Sequence, residues 1–373
     1  MPLRRIYTGT GERQPDVKLP PVDPQRLRTP EDYLAPPDLA AAVDVALTLG
    51  MPLLITGEPG SGKSSLADAV AHELGLGRAL RFVVKSDTEA RDLFYRFDTV
   101  GRFHASQTRD ADVNAANFIS FAALGEAILR AKPRRFAETY LGLPGHLLEE
   151  LGDPTRSVVL IDEIDKAPRD VPNDILVEIE TMEFTIPELS GSDGRGEVRV
   201  GLRDDAGRHE NRYRPIVIFT SNQEKALPEP FLRRCVFFHL NLPPFDPPPG
   251  TTGAVTITSI VQRRLGDRYT KHSEAMDLAI DFFRYLREDH PGLERPPVLS
   301  ELLNWLDYLS QVDPLIGNLR NGEAGEARQA LLHSIDTLLL KRAMDRRRDA
   351  DSQREADILG DWRRHRADNN RAR

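Results

Sequence analysis

Cysteine occurs once in the 373 residues, at Cys235. A single thiol forms neither an internal disulfide nor a cysteine-based zinc site, which fits a reducing compartment. Cys235 lies in an apolar run and reads as a small buried residue rather than a nucleophile. Long apolar runs are also missing. The longest, residues 39–55, is interrupted by Asp44, Gly50 and Pro52, so no transmembrane helix is expected. The first residues, Met-Pro-Leu-Arg-Arg-Ile-Tyr, have no apolar signal core, and a cytoplasmic location is expected. Positive charge is not in excess: the net charge of −8 gives no global pull toward nucleic acid or an anionic membrane. No internal repeat or low-complexity tract is evident.

Proline and glycine supply the punctuation. Prolines and charges crowd residues 1–36, which read as an extended N-terminal arm. A second cluster, Leu242-Pro243-Pro244-Phe245-Asp246-Pro247-Pro248-Pro249, is the best domain boundary in the chain. Before it, over residues 37–243, short apolar runs alternate with helical patterns. After it, over residues 250–345, only helical periodicity continues, and residues 346–373 mix charges of both signs into what reads as a solvated tail. The alternation predicts an α/β fold in which a five-stranded parallel sheet flanked by helices is followed by a small all-helical domain. Strands are expected at 52–56, 81–84, 157–161, 216–219 and 236–240. Helices are expected at 37–49, at 65–74 (through Leu66, Val70 and Leu74), and at 88–94, 117–131, 170–183 and 230–234. In the C-terminal part they are expected at 256–266, 273–288, 298–310 and 326–345. Residues 183–202 read as a hairpin-like excursion, with turns at 191–194 and 204–211. Residues 95–107 mix Tyr95, Arg96, Phe97, Arg102, Phe103 and His104, as either a half-buried loop or one that contacts a partner.

The chemistry starts at residues 57–64, Gly-Glu-Pro-Gly-Ser-Gly-Lys-Ser, which follow Leu53-Leu54-Ile55 and precede a helical pattern beginning near Ser65. Every fixed position of the pattern G-x-x-x-x-G-K-[ST] is matched. Gly57, Gly60 and Gly62 let the backbone curl so that its N–H groups point at phosphate oxygens. The next helix presents its positive end to the same anion. The expected phosphate-binding set is Gly57, Glu58, Pro59, Gly60, Ser61, Gly62, Lys63, Ser64 and Ser65, with Lys63 on the β and γ phosphates and Ser64 on Mg²⁺. Ligands of parallel sheets bind beyond the carboxyl ends of the strands. Two further candidates fall there: Asp162-Glu163, after the run at 157–161, and Asn222, after the run at 216–219. Asp162 is placed to hold Mg²⁺, Glu163 to polarise the attacking water, and Asn222 to hydrogen-bond that water or the γ-phosphate. Arg233-Arg234 read either as solvated cations at a helix C-terminus or as an arginine finger reaching a neighbouring subunit's nucleotide.

Residues 57–64, 158–165, 220–222 and 227–234 resemble the Walker A, Walker B, sensor-1 and arginine-finger motifs of an AAA+ ATPase. The run Leu160-Ile161-Asp162-Glu163-Ile164-Asp165-Lys166-Ala167-Pro168, together with Phe184-Thr185-Ile186-Pro187-Glu188, resembles the MoxR-like branch, close to dynein-related AAA domains. The resemblance is specific over residues 37–240, looser over 250–345 and absent from both ends. It implies ATP and Mg²⁺ as ligands, a hexameric ring with ATP between subunits, and a helical lid. It further implies a chaperone-like remodelling role on a protein client, commonly with a partner carrying a von Willebrand factor A domain. It also implies a sensor-2 arginine in the lid, for which the nearest match is Arg295, in Glu294-Arg295-Pro296-Pro297-Val298-Leu299-Ser300-Glu301. The segment Ser221-Asn222-Gln223-Glu224 differs from that of the GTP-using relatives and favours ATP. The expected function is thus Mg-dependent ATP hydrolysis by a remodelling ring. Two rival readings are an assembly switch timed by slow hydrolysis and a nucleic-acid motor. Only the arginine-rich tail and residues 95–104 speak for the motor, and nucleic acid is not an expected partner.

Overall fold

In the computed structural model of the chain, five short strands lie side by side, every pairing parallel. They are β1 (Leu53–Gly57), β2 (Leu80–Val83), β3 (Val158–Asp162), β4 (Ile216–Ser221) and β5 (Val236–Leu240), in the spatial order β2-β3-β4-β1-β5. The structure describes residues 7, 9–11, 13, 19, 26–27, 29–107, 113–149, 151–190, 196–202, 212–251, 253–290, 293–322, 325–341 and 358–372. The continuous apolar runs form the central strands β1, β3 and β4, which are covered on both faces. The edge strands β2 and β5 alternate instead, leaving Val83 and Phe237 exposed. β1 and β5 approach closely where β1 ends: a Cβ on Gly57, at φ +146°, would collide with the Leu240 carbonyl oxygen.

The chain divides into two units. One comprises Pro37–Gly57 and Gly62–Asn241 and holds the sheet. Its helices include Pro37–Leu49, Ser65–Glu73 and Ala123–Arg130. Two small antiparallel hairpins also belong to it, Tyr95–Phe97 with Ile119–Phe121 and Glu183–Thr185 with Arg199–Gly201. Burial pushes the Cys235 thiol up to about 12, as suits an inert packing residue.

Several sequence expectations change here. The helix expected at 117–131 divides into the strand Ile119–Phe121 and the helix Ala123–Arg130. The aromatic spacing is satisfied by a strand running into a helix, and Gly125 sits where a Cβ would collide with the Phe94 carbonyl. The helix expected at 170–183 breaks at Ile175 into Val171–Asp174 and Leu176–Thr181, then stops at Met182, whose backbone is left-handed at φ 49°. Leu74 lies past the end of Ser65–Glu73 and is half-exposed, while Ala67 and Ala71 complete the buried stripe. The helix expected at 88–94 is only the 3-10 turn Ala90–Leu93. Residues 95–107 are a hairpin strand followed by the helix Thr99–Ser106, none of whose residues is buried. The turns expected at 191–194 and 204–211 lie outside the described residues.

The other unit comprises Met1–Pro36, Glu58–Ser61 and Leu242–Arg373. Its helices Ile257–Leu265, Ser273–Arg284, Leu299–Ser310, Asp313–Asn321 and Glu326–Leu338 pack around Phe282, Phe283 and Trp305. The expected solvated tail needs correction over 358–372. This segment is the helix Ile358–Ala372, which buries Ile358, Leu359 and Trp362 in the same core. Trp362 meets the Phe282 ring edge-on at 5.4 Å and donates its indole N–H to Asp281 at 3.0 Å. Three apolar residues on one face suffice to dock a helix whose other faces are charged. Trp362→Ala is expected to destabilise this unit by about 3–5 kcal/mol, read as a lower denaturant midpoint. The arm contributes as well: Arg26 pairs with Asp307, Arg263 with Asp32 at 3.2 Å, and Arg264 donates to the Thr29 carbonyl at 2.8 Å. No helix among the described residues is long and apolar enough to cross a membrane.

Candidate functional site

Where β1 ends, the backbone must turn sharply into the helix Ser65–Glu73, and Gly62, at φ +100°, takes a conformation closed to other residues. Lys63 is 5% exposed, and its ammonium donates to the Gly57 carbonyl at 2.8 Å, closing the loop on itself. Glu58, Pro59 and Gly60 are exposed. Ser61 Oγ is buried with no hydrogen-bond partner among the described residues. Ser64 precedes the helix, and its hydroxyl donates to Asp162 Oδ1 at 2.8 Å. Ser65, the first helical residue, is half-buried.

Asp162 is the last residue of β3, and the β3–β4 register, Leu160 opposite Ile218, brings the ends of the two strands together. Thr220 on β4 donates its hydroxyl to the same Asp162 Oδ1 at 2.5 Å. The Thr220 oxygen also accepts the Glu163 backbone N–H at 3.0 Å. Glu163 has left-handed backbone angles, φ 62° and ψ 47°, uncommon for a residue with a Cβ and a mark of a constrained site. Its carboxylate receives two donors: Lys166 Nζ to Oε2 at 2.7 Å and Asn222 Nδ2 to Oε1 at 3.3 Å. The hydrogen bond to Glu163 raises the Lys166 pKa above its ordinary value, helped by the charges of Glu163, Glu224 and Asp165.

Behind this pair, the turn after β3 and the loop after β4 are laced together. Asp165, 2% exposed, accepts the backbone N–H groups of Asn222 at 3.2 Å and Glu224 at 2.9 Å. Lys225 donates to the carbonyls of Lys166 at 3.2 Å and Ala167 at 3.3 Å. The structure thus brings Lys63, Ser64, Asp162, Glu163 and Asn222 to one end of the sheet. Sequence reasoning placed Thr220, Asp165 and Lys166 within motif runs without giving them a role, and it missed Lys225. The place of Asp165 at the end of the run 158–165, between Ile164 and Lys166, was its signal in the sequence.

The donor set fits a nucleotide with Mg²⁺. The Ser64 hydroxyl and the Asp162 carboxylate are hard oxygen donors 2.8 Å apart at the mouth of the loop, as Mg²⁺ requires. The loop amides and Lys63 suit the phosphates.

The arginines stand elsewhere. Arg233 and Arg234 follow the short helix Glu229–Leu232 and are separated from β5 by Cys235 alone. They line a cavity of about 550 Å³ with Gly50, Met51 and Pro52, the residues that lead into β1. This is the amino end of the sheet, separated from the phosphate loop by the length of β1, about 13 Å at 3.3 Å per residue step. Both are exposed; Arg233 has Glu229 3.9 Å away, and Arg234 contacts Glu180 at 3.3 Å and the Pro230 carbonyl at 3.3 Å. Arg295 lies in the helical unit and pairs with Glu301 at 3.3 Å.

A family model described as the AAA domain of the dynein-related subfamily matches residues 52–235, from the threshold of β1 to the residue before β5. No curated protein matches the chain.

Proposed function

We propose, from the premise that residues 52–235 are an AAA domain of the dynein-related subfamily and hence an AAA+ ATPase domain, that the chain is a Mg²⁺-dependent ATP hydrolase of MoxR type. In this reading it works as a hexameric ring that remodels a protein client, with a von Willebrand factor A protein as the partner class. The carrying observation is the division of the machinery between the two ends of one sheet. Ser64, Asp162, Glu163 and Asn222 converge at the carboxyl end, while Arg233 and Arg234 sit at the amino end.

The geometry supports the following roles. The loop amides and Lys63 bind and orient the phosphates. Ser64 and Asp162 would hold Mg²⁺, which would neutralise charge on the phosphate oxygens. Glu163 takes the proton of the attacking water, and Asn222, within 3.3 Å of the Glu163 carboxylate, orients that water. An arginine remote from its own loop is placed to serve a neighbour's, and in this reading Arg233, the more exposed of the two, completes the site of the adjacent subunit. Arg295 is assigned as the sensor-2 residue on the resemblance alone.

A site shared between subunits makes turnover depend on assembly. ATPase activity per subunit is expected to rise with protein concentration, in step with the growth of a ring followed by light scattering. A specific activity that stays flat from the dilute monomer upward would overturn the ring reading.

A further inference from the structure

We propose that Lys166 is a positioning residue that holds the Glu163 carboxylate in a resting pose, so that turnover waits on release of this pair. The proposal rests on the assignment of Glu163 as the base.

The geometry points to a tether rather than a structural brace. The Glu163 backbone is constrained, with its N–H held by Thr220 and its angles left-handed. Both oxygens of its carboxylate are engaged. Lys166 makes the shorter bond, at 2.7 Å against 3.3 Å for Asn222, and it alone brings a charge. The lysine in turn stands on a fixed base. It closes the single-turn helix Ile164–Lys166, three residues after Glu163, so the two side chains share a face. That turn is pinned by Asp165 to the amides of Asn222 and Glu224, and by Lys225 through its carbonyls. Lys166 therefore cannot drift away with its backbone; its ammonium must let go.

The exposure of the pair matters to this argument. The Lys166 and Glu163 side chains are 40% and 30% exposed, so water screens the bond and a competing group can reach it. A buried pair would be too costly to open in each cycle. An exposed one is weak enough to open and still biases where the carboxylate rests. A base must lie within hydrogen-bond reach of the proton it takes, and a carboxylate turned onto an ammonium offers those lone pairs elsewhere. Glu224, on the loop after β4, and Asp165 also act by their charges on Lys166.

The test is steady-state hydrolysis by the full chain at fixed assembly, with nucleotide affinity measured by titration of a fluorescent ATP analogue. Lys166→Met is expected to raise kcat about two- to five-fold, the range of an exposed ion pair, with KM and affinity unchanged. Lys166→Gln is expected to do the same, which covers a methionine variant that folds poorly. Lys166→Arg restores a cation at the same reach and is expected to return kcat to the wild-type level. A brace would behave otherwise, since its loss lowers kcat and weakens nucleotide binding together. A kcat at or below wild type in the folded Met or Gln variants overturns the tether, as does a raised kcat in Lys166→Arg. Glu163→Gln run in parallel separates the two layers. If it hydrolyses ATP at the wild-type rate, the base assignment itself fails. If it is slow while Lys166→Met is not fast, only the positioning role falls.

Discussion

Glu163→Gln is expected to bind ATP with near wild-type affinity and to hydrolyse it about 10²–10⁴-fold more slowly, the usual contribution of a positioned general base. The substitution keeps the shape of the side chain and an oxygen for Asn222 Nδ2 or Lys166 Nζ, so the loops tied together behind it by Asp165 and Lys225 stay in place. An amide has no lone pair basic enough to take a proton from water. Loss of turnover with retained binding therefore isolates the proton-transfer step from phosphate recognition by Lys63 and the loop. Phosphate release under saturating ATP, paired with a nucleotide titration, measures both. Unchanged release would remove Glu163 from the mechanism. Loss of binding along with rate would mean that the left-handed turn, rather than the carboxylate, had been damaged.

Arg233→Ala carries the second large effect. An arginine supplied in trans contributes roughly 10³–10⁵ in rate, so the variant is expected to lose about 10³-fold in kcat while its own loop still binds ATP. The direct check is complementation. Lys63→Ala subunits lack a working loop but keep Arg233, and Arg233→Ala subunits have the reverse defect. Each is expected to be nearly inactive alone. Mixing them restores interfaces in which an intact loop faces an intact arginine, and hydrolysis should partly return. No recovery on mixing, with both proteins assembled, would mean that the two residues act in one subunit or not together. If Arg233→Ala retains its rate and Arg234→Ala loses it, the finger is Arg234, and the 3.3 Å contact with Glu180 opens on assembly.

Much of this site was legible because its chemistry is local in the chain. A loop of the composition of residues 57–64 has few uses between an apolar strand and a helix. Asp162 and Asn222 were singled out by the same logic, each just past an apolar run of the kind that forms a covered strand. The elements misjudged share a cause. Residues 117–131 satisfy helical spacing, but Phe121 pairs with Tyr95 across a hairpin, and a pairing with a distant strand leaves no local trace. The tail at 358–372 looked solvated because its charges outnumber its apolar residues. Its face of Ile358, Leu359 and Trp362 has meaning only once Phe282 and Asp281 are there to receive it.

The sequence by itself determined the reagents: a glycine-bent loop with Lys63 and Ser64, acids and an asparagine at strand ends, and a pair of arginines before the last strand. These are short-range facts, set by backbone freedom, strand burial and residue chemistry. The tertiary structure decided which of them meet. The parallel register of β3 with β4 sets Thr220 against Asp162 across 58 positions of chain, and the lacing through Asp165 sets Asn222 on Glu163 across 59. It also set Lys166 on the base, and put the whole length of β1 between the phosphate loop and Arg233. Hydrogen bonds and ion pairs act over a few ångströms, and only the register of strands distant in sequence determines which groups come within that range.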